Sequence, residues 1–286
     1  GNFSTANNLI TSRVVGTGAG ANVTINISSL LNQTLNIQQR GISVNESLVL
    51  YLRFEEGTGQ YANDSSLYGN NGTLGGTTAA NSNDPSWNSS TKFGSFGLSF
   101  NGIDKIVNIS SDRNALDIAA TQSLTLEAWV KTKYASQVTG PLIAGRFSEG
   151  PGYYVLGAGR ESGNDGKATF AIRDENSIEL ITLKSNVNID DDIWHHVVGV
   201  RDVAADTLSV YVDGIFQNSI ADTTTGSIAL DGDFTIGAAR TLNNDFNGTI
   251  DEVAMWNVSL DNATILQHYQ LGWGYFNRTN FTSRSF

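Results

Sequence analysis

The sequence predicts an all-β protein, a sandwich of two antiparallel sheets, on three observations. Short apolar runs of strand length recur about thirteen times from Leu48 onward. Glycine is plentiful, at 30 residues, and proline scarce, at 3. Turn-forming pairs punctuate the runs at Asn71-Gly72, Asn101-Gly102, Asp213-Gly214 and Asn247-Gly248. Short strands joined by glycine turns suit a sandwich, not collagen or a disordered proline-rich chain.

Residues 1–46 read as a separate N-terminal β extension. Val23, Ile25 and Ile27 alternate with Asn22, Thr24 and Asn26, the period of a strand with one apolar face. The segment is too short to bury a core of its own, so it packs on the main body or on another subunit. The main body spans 47–272. Strands are predicted at 48–55, 97–100, 105–109, 123–131, 141–146, 153–157, 168–173, 178–184, 194–201, 207–212, 215–220, 233–238 and 249–256. Asp213-Gly214, between two apolar runs, is a two-residue hairpin signal. Leu124, Leu126, Ala128 and Val130 form a core face, while Thr125, Glu127 and Trp129 face away, with Trp129 packed or lining a concave surface. One helix is expected, over 261–271, capped by Asp261 and with Ile265, Leu266 and Tyr269 on one face. Residues 273–286 are a C-terminal tail.

Only 16% of residues are charged, and the net charge is −11. An acidic surface repels phosphate backbones, which argues against nucleic acid as a partner. No apolar run reaches about 18 residues, so no membrane span is expected. Cysteine is absent, and the chain opens on Gly1, as a processed N-terminus would.

The sharpest local signal is Asn-X-Ser/Thr. It occurs at Asn2, Asn22, Asn26, Asn32, Asn45, Asn63, Asn71, Asn88, Asn108, Asn247, Asn257, Asn262, Asn277 and Asn280. These are 14 of 29 Asn, whereas 28 Ser and 26 Thr in 286 residues supply about five or six by chance. None falls between Asn108 and Asn247. Such acceptors imply covalent N-glycans on an extracellular or cell-surface chain. Many sequons without cysteine suit an archaeal extracellular protein better than an animal one.

Six segments, in order, resemble one family. They are Leu50 to Gly59, Asp64 to Thr73, Phe93 to Gly102, Ser123 to Val130, Trp194 to Val200 and Gly248 to Trp256. Each is weak alone; together they resemble the laminin-G-like jelly rolls of the concanavalin A-like lectin/glucanase superfamily. The resemblance covers neither 1–46 nor the tail. It implies a jelly-roll sandwich with the first and last strands of the main body adjacent. It also implies a calcium site, with Asp64, Asn71 and Asp251 at the matching positions; the plainer reading is that Asp64 and Asn71 only shape turns. The chain departs from the family in having only Asp104, then Lys105, after Asn101-Gly102.

A glucanase would place two carboxylates about 5–5.5 Å apart on one strand face. The usual Glu-X-Asp-X-Glu strand pattern is missing, and period two sends Asp251 and Glu252 to opposite faces. Asp190-Asp191-Asp192 reads as a solvated bend. His195 and His196 point to opposite faces and are structural rather than a metal pair; His268 has no visible partner. The expected function is therefore a non-catalytic secreted surface glycoprotein, binding carbohydrate or a surface protein in adhesion. The rival is a filament or sheath subunit, polymerising with copies of itself by strand donation from residues 1–46. A glycoside hydrolase comes third.

Overall fold

The computed structural model describes Thr5–Ala6, Leu9–Ile10 and residues 47–110, 114–133, 141–146, 152–159, 165–176, 180–228, 232–239 and 245–271. The chain divides into two compact units, 1–40 and 41–286. In the first, β1 (Thr5–Ala6) pairs antiparallel with β2 (Leu9–Ile10). The strand expected at Val23, Ile25 and Ile27 lies outside the described residues.

The second unit begins with β3 (Leu48–Leu52), β4 (Tyr61–Ala62), β5 (Gly72–Leu74), β6 (Ser86–Asn88), β7 (Gly97–Asn101) and β8 (Val107–Ile109). After a 3₁₀ turn at Asn114–Leu116 come β9 (Leu124–Lys133), β10 (Leu142–Arg146), β11 (Tyr153–Ala158), β12 (Lys167–Arg173) and β13 (Ile181–Asn188). The last strands are β14 (Asp191–Asp202), β15 (Thr207–Val212), β16 (Ile215–Ala221), β17 (Phe234–Ile236) and β18 (Asn247–Trp256), followed by helix α1 (Asn262–Leu271). One sheet runs β13-β12-β11-β10-β17-β8-β5-β4. The other runs β16-β15-β14-β9-β18-β7-β6, with β3 also paired to β18. The architecture is an antiparallel two-sheet sandwich with one short C-terminal helix, as expected. The first and last strands of the body are adjacent, with Leu50 opposite Met255 and Leu52 opposite Val253.

The facing sides of the sheets form one core, including Leu50, Leu126, Val130, Leu156, Phe170, Val197, Ile250 and Met255. All thirteen predicted strands are present. Asp213 (φ 53°) and Gly214 (φ 73°) make the expected hairpin turn, both in the left-handed region that a type I′ turn requires. Five short strands, β1, β2, β4, β5 and β6, escaped prediction, because two or three residues carry no readable period.

On the outer side of the second sheet, Trp129 is packed, the first of the two alternatives for it. Thr125, Glu127 and Trp129 line no open concave surface; all three are buried. Helix α1 roofs this side, its Ile265 packing with Val198, Val200, Ala254 and Trp256. Asp261 caps the helix, its Oδ1 accepting the Thr264 N–H at 2.7 Å. Of the predicted face, Ile265 is buried and Tyr269 packs on Trp129, whereas Leu266 is exposed and His268 takes its place against the sheet. Asp191 opens strand β14 and pairs with Lys133, so the acidic run is part of a bulged strand rather than a bend alone. Among the described residues no helix is long and apolar enough to cross a membrane.

Candidate functional site

Glu127, at the centre of β9, is buried between the sheet and α1. His196 on β14 brings Nε2 to 2.8 Å from its Oε2, and His268 on α1 brings Nδ1 to 2.9 Å from its Oε1. Burial alone would raise the Glu127 pKa, but the two imidazoles outweigh it and hold it at about 2. Trp129 stacks on Tyr269 of the helix, 5.6 Å between ring centroids, and Lys92 Nζ lies 4.3 Å over its indole. This cluster ties the helix to the sheet. His195 faces the other way, between Asp213 (2.8 Å) and Asp191 (3.1 Å). Burial lowers its pKa, but those carboxylates outweigh it and the net shift is upward.

Asp251 and Glu252 correct the period-two expectation. Ile250 and Val253 both enter the core, and a bulge with Glu252 at φ 50° turns both intervening carboxyls to the outer side. Asp251 Oδ2 accepts the N–H groups of Lys92 (3.0 Å) and Phe93 (3.1 Å), and Glu252 accepts the Tyr51 hydroxyl. Burial pushes Asp251 up to about 7. Burial, with Asp251 beside it, pushes Glu252 up to about 8. Both are enclosed, so the pair has no open cleft in which to flank a glycosidic bond.

Asp64, Asn71 and Asp251, the positions of the expected calcium site, each accept hydrogen bonds from donors of the chain itself. Asp64 Oδ1 accepts the N–H groups of Tyr51 (2.8 Å) and Ser66 (2.9 Å); Oδ2 accepts the Ser66 hydroxyl (2.6 Å) and the Asn70 N–H (2.7 Å). Asn71 Oδ1 accepts the Asp64 N–H at 2.8 Å. These bonds order the turn from Asp64 to Asn71. Among the described residues no group of three or more His, Cys, Asp or Glu could hold a metal.

Of the sequon residues, Asn63, Asn71, Asn247 and Asn262 are exposed, while Asn88, Asn108 and Asn257 are half-buried. Asn2, Asn22, Asn26, Asn32, Asn45, Asn277 and Asn280 lie outside the described residues.

An open groove of about 480 Å³ lies where β9 begins and β18 ends. One wall is Ala119, Thr121, Gln122 and Ser123; the other is Asn257, Val258 and Ser259. Buried Arg201 fixes the first wall. Its Nη1 donates to the carbonyls of Ala119 (3.2 Å) and Gln122 (2.8 Å), and its Nη2 to that of Ala120 (2.9 Å). Asp222 holds the guanidinium in turn, its Oδ2 2.6 Å from Nε. Thr125 fixes the second wall, donating its hydroxyl to the Val258 carbonyl (2.9 Å) and accepting the Leu260 N–H (3.0 Å). No lining residue is charged. The groove presents hydroxyls and amides on a backbone fastened before any ligand arrives.

Residues 101–266 match the laminin G family model described as the concanavalin A-like lectin/glucanases superfamily. The chain belongs to this superfamily. By sequence, no curated protein matches it. Among solved structures, the binding domain of Paraclostridial Mosquitocidal Protein 1 is similar at 14% identity and a TM-score of 0.61, over 82% of this chain and 53% of that one. A botulinum neurotoxin serotype D ligand binding domain, in complex with N-acetylneuraminic acid, is similar at 15% identity and a TM-score of 0.57, over 80% of this chain and 52% of that one. Domain 4 of AbnA, an extracellular GH43 arabinanase from Geobacillus stearothermophilus, in complex with arabinotriose, is similar at 17% identity and 0.57, over 78% of this chain and 98% of that one. At such identities the likeness shows the fold. The chain spans about half the length of the toxin domains it matches. This lectin-superfamily sandwich is thus similar to structures of carbohydrate-binding and receptor-binding domains.

Sequence reasoning singled out only Asn257 of the groove, and that as a sequon. The remaining lining is small and polar, and Arg201 reaches its partner Gln122 across 79 residues of sequence, so no local pattern marks it.

Proposed function

We propose that the chain is a non-catalytic binding module of an extracellular glycoprotein and that the groove between 119–123 and 257–259 takes neutral carbohydrate. The observation that carries this reading is the groove's fixed, uncharged lining, with the Asp251 and Glu252 carboxyls buried elsewhere on β18. Uncharged hydroxyl and amide groups suit sugar hydroxyls better than an ionic ligand, and hydrolysis would need carboxyls open to a bound glycoside. A similar fold solved with arabinotriose, a neutral oligosaccharide, supports the ligand class. The test is an immobilised-glycan screen with unglycosylated chain from a non-glycosylating host, as wild type and Thr121→Trp, which fills the groove from an exposed position. We expect binding of at least one neutral oligosaccharide, weakened roughly tenfold or more by Thr121→Trp, about 1.4 kcal/mol or more, with an unchanged melting temperature and no release of reducing sugar. Binding that ignores the substitution, or sugar release, refutes the reading.

Adhesion is the role such a module serves on a cell surface. The filament reading rests on the alternation of Val23, Ile25 and Ile27. It predicts polymers from purified full-length chain, which the adhesin reading does not.

A further inference from the structure

Asn257 is both a wall of the groove and the acceptor of the sequon Asn257-Val258-Ser259. Its position is built rather than incidental. The Asn257 N–H donates to the Ser47 carbonyl at 2.9 Å, and the next peptide is held by the Thr125 hydroxyl on the Val258 carbonyl, also at 2.9 Å. The backbone on either side of the acceptor is therefore fixed, and the half-buried residue itself lines the groove. Contrast the other half-buried acceptor on the same sheet: Asn88 Nδ2 already donates to Ser99 Oγ (2.8 Å) and Thr249 Oγ1 (3.2 Å).

We propose that Asn257 carries an N-linked glycan whose first sugars lie in the groove, so that the chain's own modification occupies and closes its carbohydrate site. The proposal rests on the glycoprotein and groove readings above and adds a ligand held in cis. In the modification, Nδ2 forms a C–N bond to the anomeric carbon of a lipid-phosphate-linked oligosaccharide. The anomeric C–O bond to phosphate breaks, the lipid phosphate leaves, and the proton lost from Nδ2 ends on it or on solvent. The attached sugar starts inside the groove at one wall, with the Thr121 hydroxyl and Gln122 on the facing wall. Tethering makes its local concentration high, on the order of millimolar for a short flexible link, so even weak contacts hold it there. A free oligosaccharide must then compete with a sugar that cannot diffuse away.

The experiment uses full-length chain secreted from a glycosylating host, as wild type, Asn257→Gln, Ser259→Ala and the control Asn247→Gln. Glycopeptide mass spectrometry reads occupancy, and hydrogen exchange reads cover over residues 119–123. We expect sugar on Asn257 in wild type. Exchange across 119–123 should be several-fold slower in wild type and Asn247→Gln than in Asn257→Gln and Ser259→Ala. Ser259→Ala keeps the asparagine and Asn257→Gln keeps the serine, so agreement of the two variants excludes an effect of losing either wall side chain by itself. A bare Asn257, or a glycan that leaves exchange at 119–123 unchanged, overturns the proposal. Free-sugar binding is scored separately on unglycosylated wild-type chain: if it binds no glycan, the external-ligand reading fails while the exchange result still decides this one.

Discussion

Glu127 has no route to water, and each of its oxygens is engaged by an imidazole. Removing one partner leaves carboxylate charge in a dry layer, which costs more than the pair itself contributes. His268→Ala is expected to destabilise the fold by about 3–5 kcal/mol in denaturant unfolding. His195→Ala, whose partners Asp213 and Asp191 are both reached by solvent, should cost less, about 1 kcal/mol. Equal costs would refute the view that the Glu127 cluster fastens α1. The sequence disclosed part of this: alternation along β14 puts His195 and His196 on opposite sides, and both are structural. His268 offered no such clue, because Glu127 lies 141 residues away and only the fold joins them.

Strand β18 shows why a period can mislead. Two consecutive carboxyls on a regular strand diverge, but the bulge at Glu252 keeps both outward and under cover; a non-glycine residue at φ 50° costs about 1 kcal/mol, which the surrounding packing must offset. No composition signal marks that bulge, whereas the Asp261 cap of α1 and the Asp213-Gly214 turn were legible because they depend on one or two residues. The bulge has a consequence for pH. Glu252 moves from an ordinary 4.5 to about 8, and Asp251 from 3.8 to about 7, so the folded state holds both protons more tightly than the unfolded chain. Their contribution to stability is complete below about pH 4 and drains as pH rises toward 8. Glu127 acts oppositely: moved from 4.5 to about 2, it stabilises above pH 4.5 and loses that contribution as pH falls to 2. The melting temperature should peak near pH 4–5 and decline on both sides. Glu252→Gln should flatten the decline between pH 5 and 8; a melting temperature that rises steadily from 5 to 8 would contradict the assignment.

At the scale of the molecule, the sandwich and the adjacency of β3 and β18 were legible because six ordered segments carry them. The groove was not, since its walls converge from 119–123 and 257–259 and are held by side chains elsewhere. The sequons divide between these two cases: their positions are plain in sequence, their accessibility only in the fold. Transfer of sugar requires a free side-chain amide nitrogen with room around it. Asn71 is exposed, and it is its oxygen, not its nitrogen, that is engaged by Asp64. Asn262 likewise uses its oxygen, accepting the Tyr211 hydroxyl at 2.6 Å. Asn247 is exposed at the start of β18. Asn88 spends its nitrogen on Ser99 and Thr249, and a sugar there would remove one of its two N–H groups and wedge against β7. Glycopeptide analysis of protein from its natural source should therefore find high occupancy at Asn71, Asn247 and Asn262 and little at Asn88. Full occupancy at Asn88 would mean that sugar is added before β6 pairs with β7, and would make sequence alone, rather than the folded surface, the guide to which acceptors are used.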